Sequence, residues 1–166
     1  MQGSALSTDE VEDFKRGSVR RKAYNEAVRF ISYRARSYRE VLDRLKKSEY
    51  DSTVAEDVLS RLIRNGLLND LNFGSSWVAD RMNLKPRSRS VLASELYQKG
   101  LDSEAIKSTL AEVSSEDYRA MIVKLIAKKR RQTRFQDDAK LIAFLGRQGY
   151  SYEDIRGALT ETDAAT

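Results

Sequence analysis

Glu95-Leu96-Tyr97-Gln98-Lys99-Gly100-Leu101-Asp102-Ser103-Glu104-Ala105-Ile106, with Leu110 beyond it, decides the fold because the chain repeats it. Phe144-Leu145-Gly146-Arg147-Gln148-Gly149-Tyr150-Ser151-Tyr152-Glu153-Asp154-Ile155, followed by Leu159, carries the same pattern. In both, a leucine anchor is followed at +4 by Gly, at +5 by a large apolar residue, at +10 by Ile and at +14 by Leu. A looser copy stands earlier, at Leu45, Glu49, Tyr50, Ala55 and Leu59. The anchors Leu45, Leu96 and Leu145 lie 51 and 49 residues apart, which is the spacing of a helical repeat. A glycine just after an apolar-periodic run is where a left-handed residue closes a helix. Each anchor therefore ends one helix and each copy opens another, with a further helix before each anchor.

Working outward, apolar residues recur at helical spacing nearly everywhere: Ala27, Ile31 and Ala35; Trp77, Val78 and Met82; Met121, Ile122, Leu125 and Ile126. Ser37-Tyr38-Arg39-Glu40 and Thr53-Val54-Ala55-Glu56 read as capping boxes, and Gly66 as a further helix stop. No alternating strand pattern persists, and a single Pro interrupts the chain. The expectation is an all-α protein of three tandem three-helix modules, about nine helices, in an elongated, curved array whose modules touch only their neighbours. The modules are expected at 21–66, 67–114 and 115–160, with hinges at Gly66–Asn72 and Val113–Glu116. Residues 1–20 are expected to be disordered and 161–166 to form a flexible tail. Trp77, Phe73, Phe144 and Tyr150 read as core, and Tyr152, off the repeat's buried positions, as exposed.

Composition narrows the function. With no Cys and no His among 166 residues, disulfides, thiolate nucleophiles and the usual neutral-pH general base are missing. The eight glycines form no phosphate-cradling loop. The adjacent acids Glu56–Asp57, Asp137–Asp138 and Glu153–Asp154 fall in polar helical stretches and read as solvated faces. No catalytic, cofactor or metal residue is assigned, and an enzyme is not expected. No apolar run is long enough to span a bilayer, and the acidic opening segment is no secretion signal, so a cytoplasmic protein is expected.

The charge is +5, and its excess is localised. Arg20 to Lys47 holds ten basic residues against three acids, and Arg119 to Arg134 holds seven and no acid. Such segments suit a phosphate backbone or an acidic protein surface. The candidate contacts are Arg34, Arg36, Arg39, Arg81, Arg87, Arg89, Lys128, Lys129, Arg130, Arg131, Arg134 and Arg147. Arg87 and Arg89 are expected in a mobile cationic loop, Pro86–Ser90, able to reach into a groove. The run Lys128-Lys129-Arg130-Arg131 is four adjacent cations whose mutual repulsion a counter-charge would relieve.

Four elements in order also resemble a family. Ala35-Arg36-Ser37-Tyr38-Arg39-Glu40-Val41-Leu42 is similar to the opening R-x-R-S-x-x-E-L of the bacterial RecX regulators. Gly66-Leu67-Leu68-Asn69-Asp70-Leu71-Asn72-Phe73, with Trp77-Val78 and Arg81, resembles their G-L-hydrophobic-D-D-x-x-F-A … R signature. Glu95 to Leu101 resembles E-L-x-x-K-G-hydrophobic, and Phe144 to Tyr150 resembles F-L-x-R-R-G-F. Asn69, Gly74, Ser88 and Gln148 depart from the pattern, the last thinning the basic character of the third module. The resemblance implies a monomeric regulator that binds the RecA filament and the single-stranded DNA within it, with weak direct DNA binding besides. It implies inhibition of filament growth, ATPase and strand exchange in recombination and repair. No membrane partner and no cofactor are implied. A stand-alone helical nucleic-acid-binding protein and a protein-binding adaptor remain the alternatives.

Overall fold

The computed structural model describes residues 5–165. Met1–Ser4 and Thr166, parts of the two expected disordered ends, lie outside the described residues. Among those described are nine α-helices and no strand: α1 (Thr8–Tyr33), α2 (Tyr38–Lys47), α3 (Ser52–Arg64), α4 (Asp70–Leu84), α5 (Arg89–Gln98), α6 (Ser103–Ala111), α7 (Ser115–Arg130), α8 (Asp138–Arg147) and α9 (Tyr152–Ala164). A short 3₁₀ turn, Thr133–Phe135, separates α7 from α8.

The repeat is a helix-ending device used again and again. The amide of Tyr50 donates to the Leu45 carbonyl (3.2 Å), that of Leu101 to Leu96 (3.1 Å), and that of Tyr150 to Leu145 (3.2 Å). The residue before each donates one turn tighter: Glu49 to Lys46, Gly100 to Tyr97, Gly149 to Gly146. This bond pair is the Schellman motif, in which the anchor and the apolar residue five places on sit together while a left-handed residue turns the chain. A fourth instance, Leu62 to Leu67 through Gly66, ends α3. The next residue then caps the following helix: Asp51 for α3, Asp102 for α6 and Ser151 for α9. Anchor, left-handed turn, apolar latch and cap are thus one seven-residue unit. All three anchors are fully buried.

The looser first copy has a backbone cost. Glu49 is the only described non-glycine residue with a positive φ, at 63°. Glu49→Gly is therefore expected to stabilise the protein by about 0.5–1 kcal/mol, since glycine occupies that region without Cβ strain. Urea unfolding checks this; no gain would show that the left-handed backbone costs nothing here.

By backbone contact the chain divides into two compact units, one up to Asp70 and one from Leu71 onward. The first buries Ala23 and Ala27 of α1 against Val41, Leu45, Val58, Leu59 and Leu62. The second holds two clusters, one around Phe73, Val78, Leu92 and Leu96, the other around Ile122, Ile126, Leu141, Leu145 and Ile155. Met82 and Val113 pack against both, which ties the α4–α6 set to the α7–α9 set.

Several expectations change. From Thr8 to residue 20 the chain is helical rather than a disordered arm: α1 starts at Thr8 behind a capping box in which Ser7 and Glu10 exchange hydrogen bonds. The acids of that segment favour a helix N-terminus electrostatically, and Glu12 pairs with Arg16 one turn on. The tail is helical to Ala164. The cap of α3 is Asp51 rather than Thr53, because the chain re-enters a helix directly after the latch at Tyr50. The expected hinges are shorter than drawn, since α4 begins at Asp70 and α7 at Ser115. The adjacent acids serve locally: Asp137 caps α8, Asp138 pairs with Arg130 and Asp57 with Arg20.

Candidate functional site

The twelve candidate cations separate by what already holds them. In the first unit, the Arg36 guanidinium lies 3.9 Å from the Phe30 ring centre and donates to the Phe30 carbonyl at 3.2 Å. Burial, then the nearby Arg34 charge, depresses its basicity. Arg34 binds Glu40 at 2.7 Å, the same Glu40 that completes the Ser37 capping box. Arg39 is exposed and has no ion pair among the described residues.

In the second unit, Arg81 and Arg87 converge on Glu95. Arg81 Nε donates to Glu95 Oε2 at 2.8 Å, Trp77 Nε1 donates to the same oxygen at 2.8 Å, and Arg87 Nε stands 3.6 Å from Oε1. Arg81 also covers the Trp77 ring at 4.6 Å, and Lys99 approaches it at 5.0 Å. Burial works to raise the Glu95 carboxyl, but the hydrogen bonds from Arg81 and Trp77 and the two guanidinium charges outweigh it and hold the group below its usual 4.5. A carboxyl depressed in the fold adds stability that is complete above the unfolded value and lost as pH falls through the folded one. Glu95→Gln is expected to cost about 1–3 kcal/mol at neutral pH. It should also remove part of the acid-induced destabilisation below about pH 4.5. Trp77 is the sole tryptophan, so its emission during acid titration reads this pair directly. An identical acid limb in both proteins would contradict the assignment.

Pro86–Ser90 is not a mobile loop. Ser88 is fully buried, caps α5, and donates to the Gln148 carbonyl at 2.8 Å; Ser90 donates to the Gly149 carbonyl at 3.2 Å. Arg89 is the first residue of α5: its amide donates to the Tyr118 hydroxyl at 3.1 Å and its guanidinium lies 4.3 Å from that ring centre. A loop that contacts three other segments cannot swing into a groove, so Arg87 and Arg89 serve the fold first.

At the end of α7 the four adjacent cations part company. Lys129 lies 4.7 Å from the Phe144 ring centre, and Arg130 holds Asp138 and the Gln136 carbonyl. Lys128 and Arg131 are exposed with no ion pair among the described residues, as is Arg147 on α8. Arg134 is exposed beside Phe135. Cations in a last helical turn also complement the helix dipole, which accounts for part of the cluster without a partner. Tyr152 is exposed, Phe73 and Tyr150 are buried, and Trp77 and Phe144 are half-buried against their clusters.

One surface lies outside the twelve. Arg21, Lys22, Arg29 and Tyr33 of α1 are exposed around a single concavity. The four-residue step from Arg21 through Asn25 and Arg29 to Tyr33 was the signal available for it.

Comparison with known proteins gives the family. Residues 23–62 match the model of the RecX first three-helix domain, and residues 69–110 that of the RecX second three-helix domain. The regulatory protein RecX of Mycobacterium avium (strain 104) is 38% identical over 129 residues, covering 75% of each chain. That of Listeria monocytogenes serotype 4a (strain HCC23) is 29% identical over 165 residues, 97% of this chain and 61% of the relative. The chain therefore spans about three fifths of the length of that Listeria relative. The crystal structure of RecX from Lactobacillus salivarius superposes with a TM-score of 0.80 at 25% identity, covering 89% of this chain and 99% of that one. With a relative this similar over three quarters of both lengths, and with two domain models matched in order, the chain belongs to the RecX family of regulatory proteins.

Proposed function

We propose that the chain binds the RecA–single-stranded DNA filament in the cytoplasm and restrains its growth, ATPase and strand exchange, acting as a binding regulator rather than an enzyme. The observation that carries the reading is membership of a family whose members are named regulatory proteins, one of them matched over 97% of this chain. The exposed cations Arg39, Lys128, Arg131 and Arg147 support it, because phosphates of single-stranded DNA or acidic side chains of a protein partner would supply the counter-charge they lack among the described residues. No helix of the described residues is long and apolar enough to cross a membrane.

Filament binding, followed by co-sedimentation with RecA assembled on single-stranded DNA, tests the reading. The Lys128→Glu/Arg131→Glu double variant is expected to bind at least about tenfold more weakly, with stability changed by less than about 0.5 kcal/mol, as for exposed substitutions. Unchanged binding would remove these residues from the interface. No binding by the unaltered chain would overturn the reading itself.

A further inference from the structure

We infer that the exposed face of α1 carries a direct site for single-stranded nucleic acid, with Arg21, Lys22 and Arg29 on the phosphates and Tyr33 as a stacking platform for a base. The site deepens the filament reading by naming where nucleic acid would be touched, on residues outside the twelve candidates above.

Four observations support it. Arg21, Lys22 and Arg29 are all exposed, and none has an ion pair among the described residues. The acid within the same concavity is already occupied: Glu26 accepts from Arg44 Nε at 2.9 Å and from the Ser48 hydroxyl. The hydrogen bond from Ser48, followed by that from Arg44, holds its carboxyl below the usual range, and Arg44 rather than the three cations is its ion-pair partner. At the C-terminal end of the row Tyr33 is 79% exposed, next to Phe30, whose ring Arg36 and Arg44 approach. A side chain of that size left bare at the end of a cation row has no role in the core of the unit.

The spacing suits a strand. Arg21, Asn25, Arg29 and Tyr33 follow one another at four-residue steps along one face, so Arg21 to Arg29 spans about 12 Å at the helical rise. An extended backbone running along such a row would meet a cation, a hydrogen-bonding amide, a second cation and then an aromatic face. A cationic track combined with an aromatic platform is how sequence-tolerant single-strand binders work: the charges follow the backbone and the ring takes any base. An acidic peptide would use the cations but leave the tyrosine without a function, which favours the nucleic acid.

The test omits the recombinase. Fluorescence anisotropy of a labelled oligo-dT strand, titrated with the full chain at several salt concentrations, separates the two contributions. The unaltered chain should bind, and Arg21→Ala/Lys22→Ala/Arg29→Ala should bind more weakly with a slope of log affinity against log salt shallower by about 2, three contacts at about 0.7 each. Tyr33→Ala should lose about tenfold with the salt slope unchanged, and Tyr33→Phe should restore it. The unaltered chain should prefer oligo-dT to an abasic strand of equal length, and Tyr33→Ala should not. Absence of binding, an unaltered salt slope in the triple variant, or equal competition by polyglutamate of matched charge would each overturn the site. Without recombinase in the assay, failure of the filament reading leaves this outcome untouched, and the reverse also holds. All four side chains are exposed, so circular dichroism melts should coincide.

Discussion

Leu145→Ala is expected to lower stability by about 2–5 kcal/mol, the range for emptying a fully buried leucine site, and to lower the melting temperature by roughly 10 °C. Leu145 has no exposed surface and packs in the cluster that joins α7, α8 and α9. Its carbonyl also receives the Tyr150 amide, so the side chain fills the core at the same point where the backbone turns out of α8. Truncation leaves a cavity that Tyr150, fixed by that hydrogen bond, cannot readily fill. Urea unfolding followed by circular dichroism measures the loss. A cost below about 1 kcal/mol would mean that the anchor is not the organising position of the repeat.

Gly149→Ala is expected to cost about 2–4 kcal/mol, more than the left-handed backbone alone explains. Gly149 has φ of 92°, and a Cβ there would stand 2.5 Å from the Ser90 hydroxyl oxygen and 2.6 Å from that of Ser88. Both serines are donors across the seam, and Ser88 is also the cap of α5, so displacing them opens the join between the α4–α6 and α7–α9 sets. Gly66→Ala is the control: φ there is 71°, but the added Cβ would meet nothing within 4 Å. It should cost about 1 kcal/mol, the backbone part alone. Equal losses at the two glycines, measured by the same unfolding experiment, would show that the seam contributes nothing.

The anchors at Leu45, Leu96 and Leu145 were legible in the sequence because they obey a local rule: an apolar residue, a left-handed turn four places on and an apolar latch lie within one short segment. The capping box at Ser37 was legible for the same reason. At Thr53 the same rule misled, because Asp51 already caps α3 by accepting from the Val54 amide in its first turn. The opening of α1 was missed although Ser7 and Glu10 spell the same box, since a segment lacking buried apolar residues resembles a disordered one.

The candidate site was legible only as a composition of charge. Which cations are free depends on partners distant in sequence: Arg81 meets Glu95 14 residues on, Arg89 meets Tyr118 29 residues on, and Arg44 reaches back 18 residues to Glu26. No periodicity within a helix reports such pairings. The same limitation hid Arg21, Lys22 and Arg29, whose availability follows from Glu26 being occupied by residues of α2 and the turn after it.

The regulatory reading faces its most direct test in the rate of ATP hydrolysis by RecA on single-stranded DNA, measured with increasing amounts of the chain. Slowing at doses below one chain per RecA protomer is the expected result, since a protein that restrains filament growth need not cover every protomer. An unchanged rate at a stoichiometric dose, with RecA and strand saturated, would contradict it.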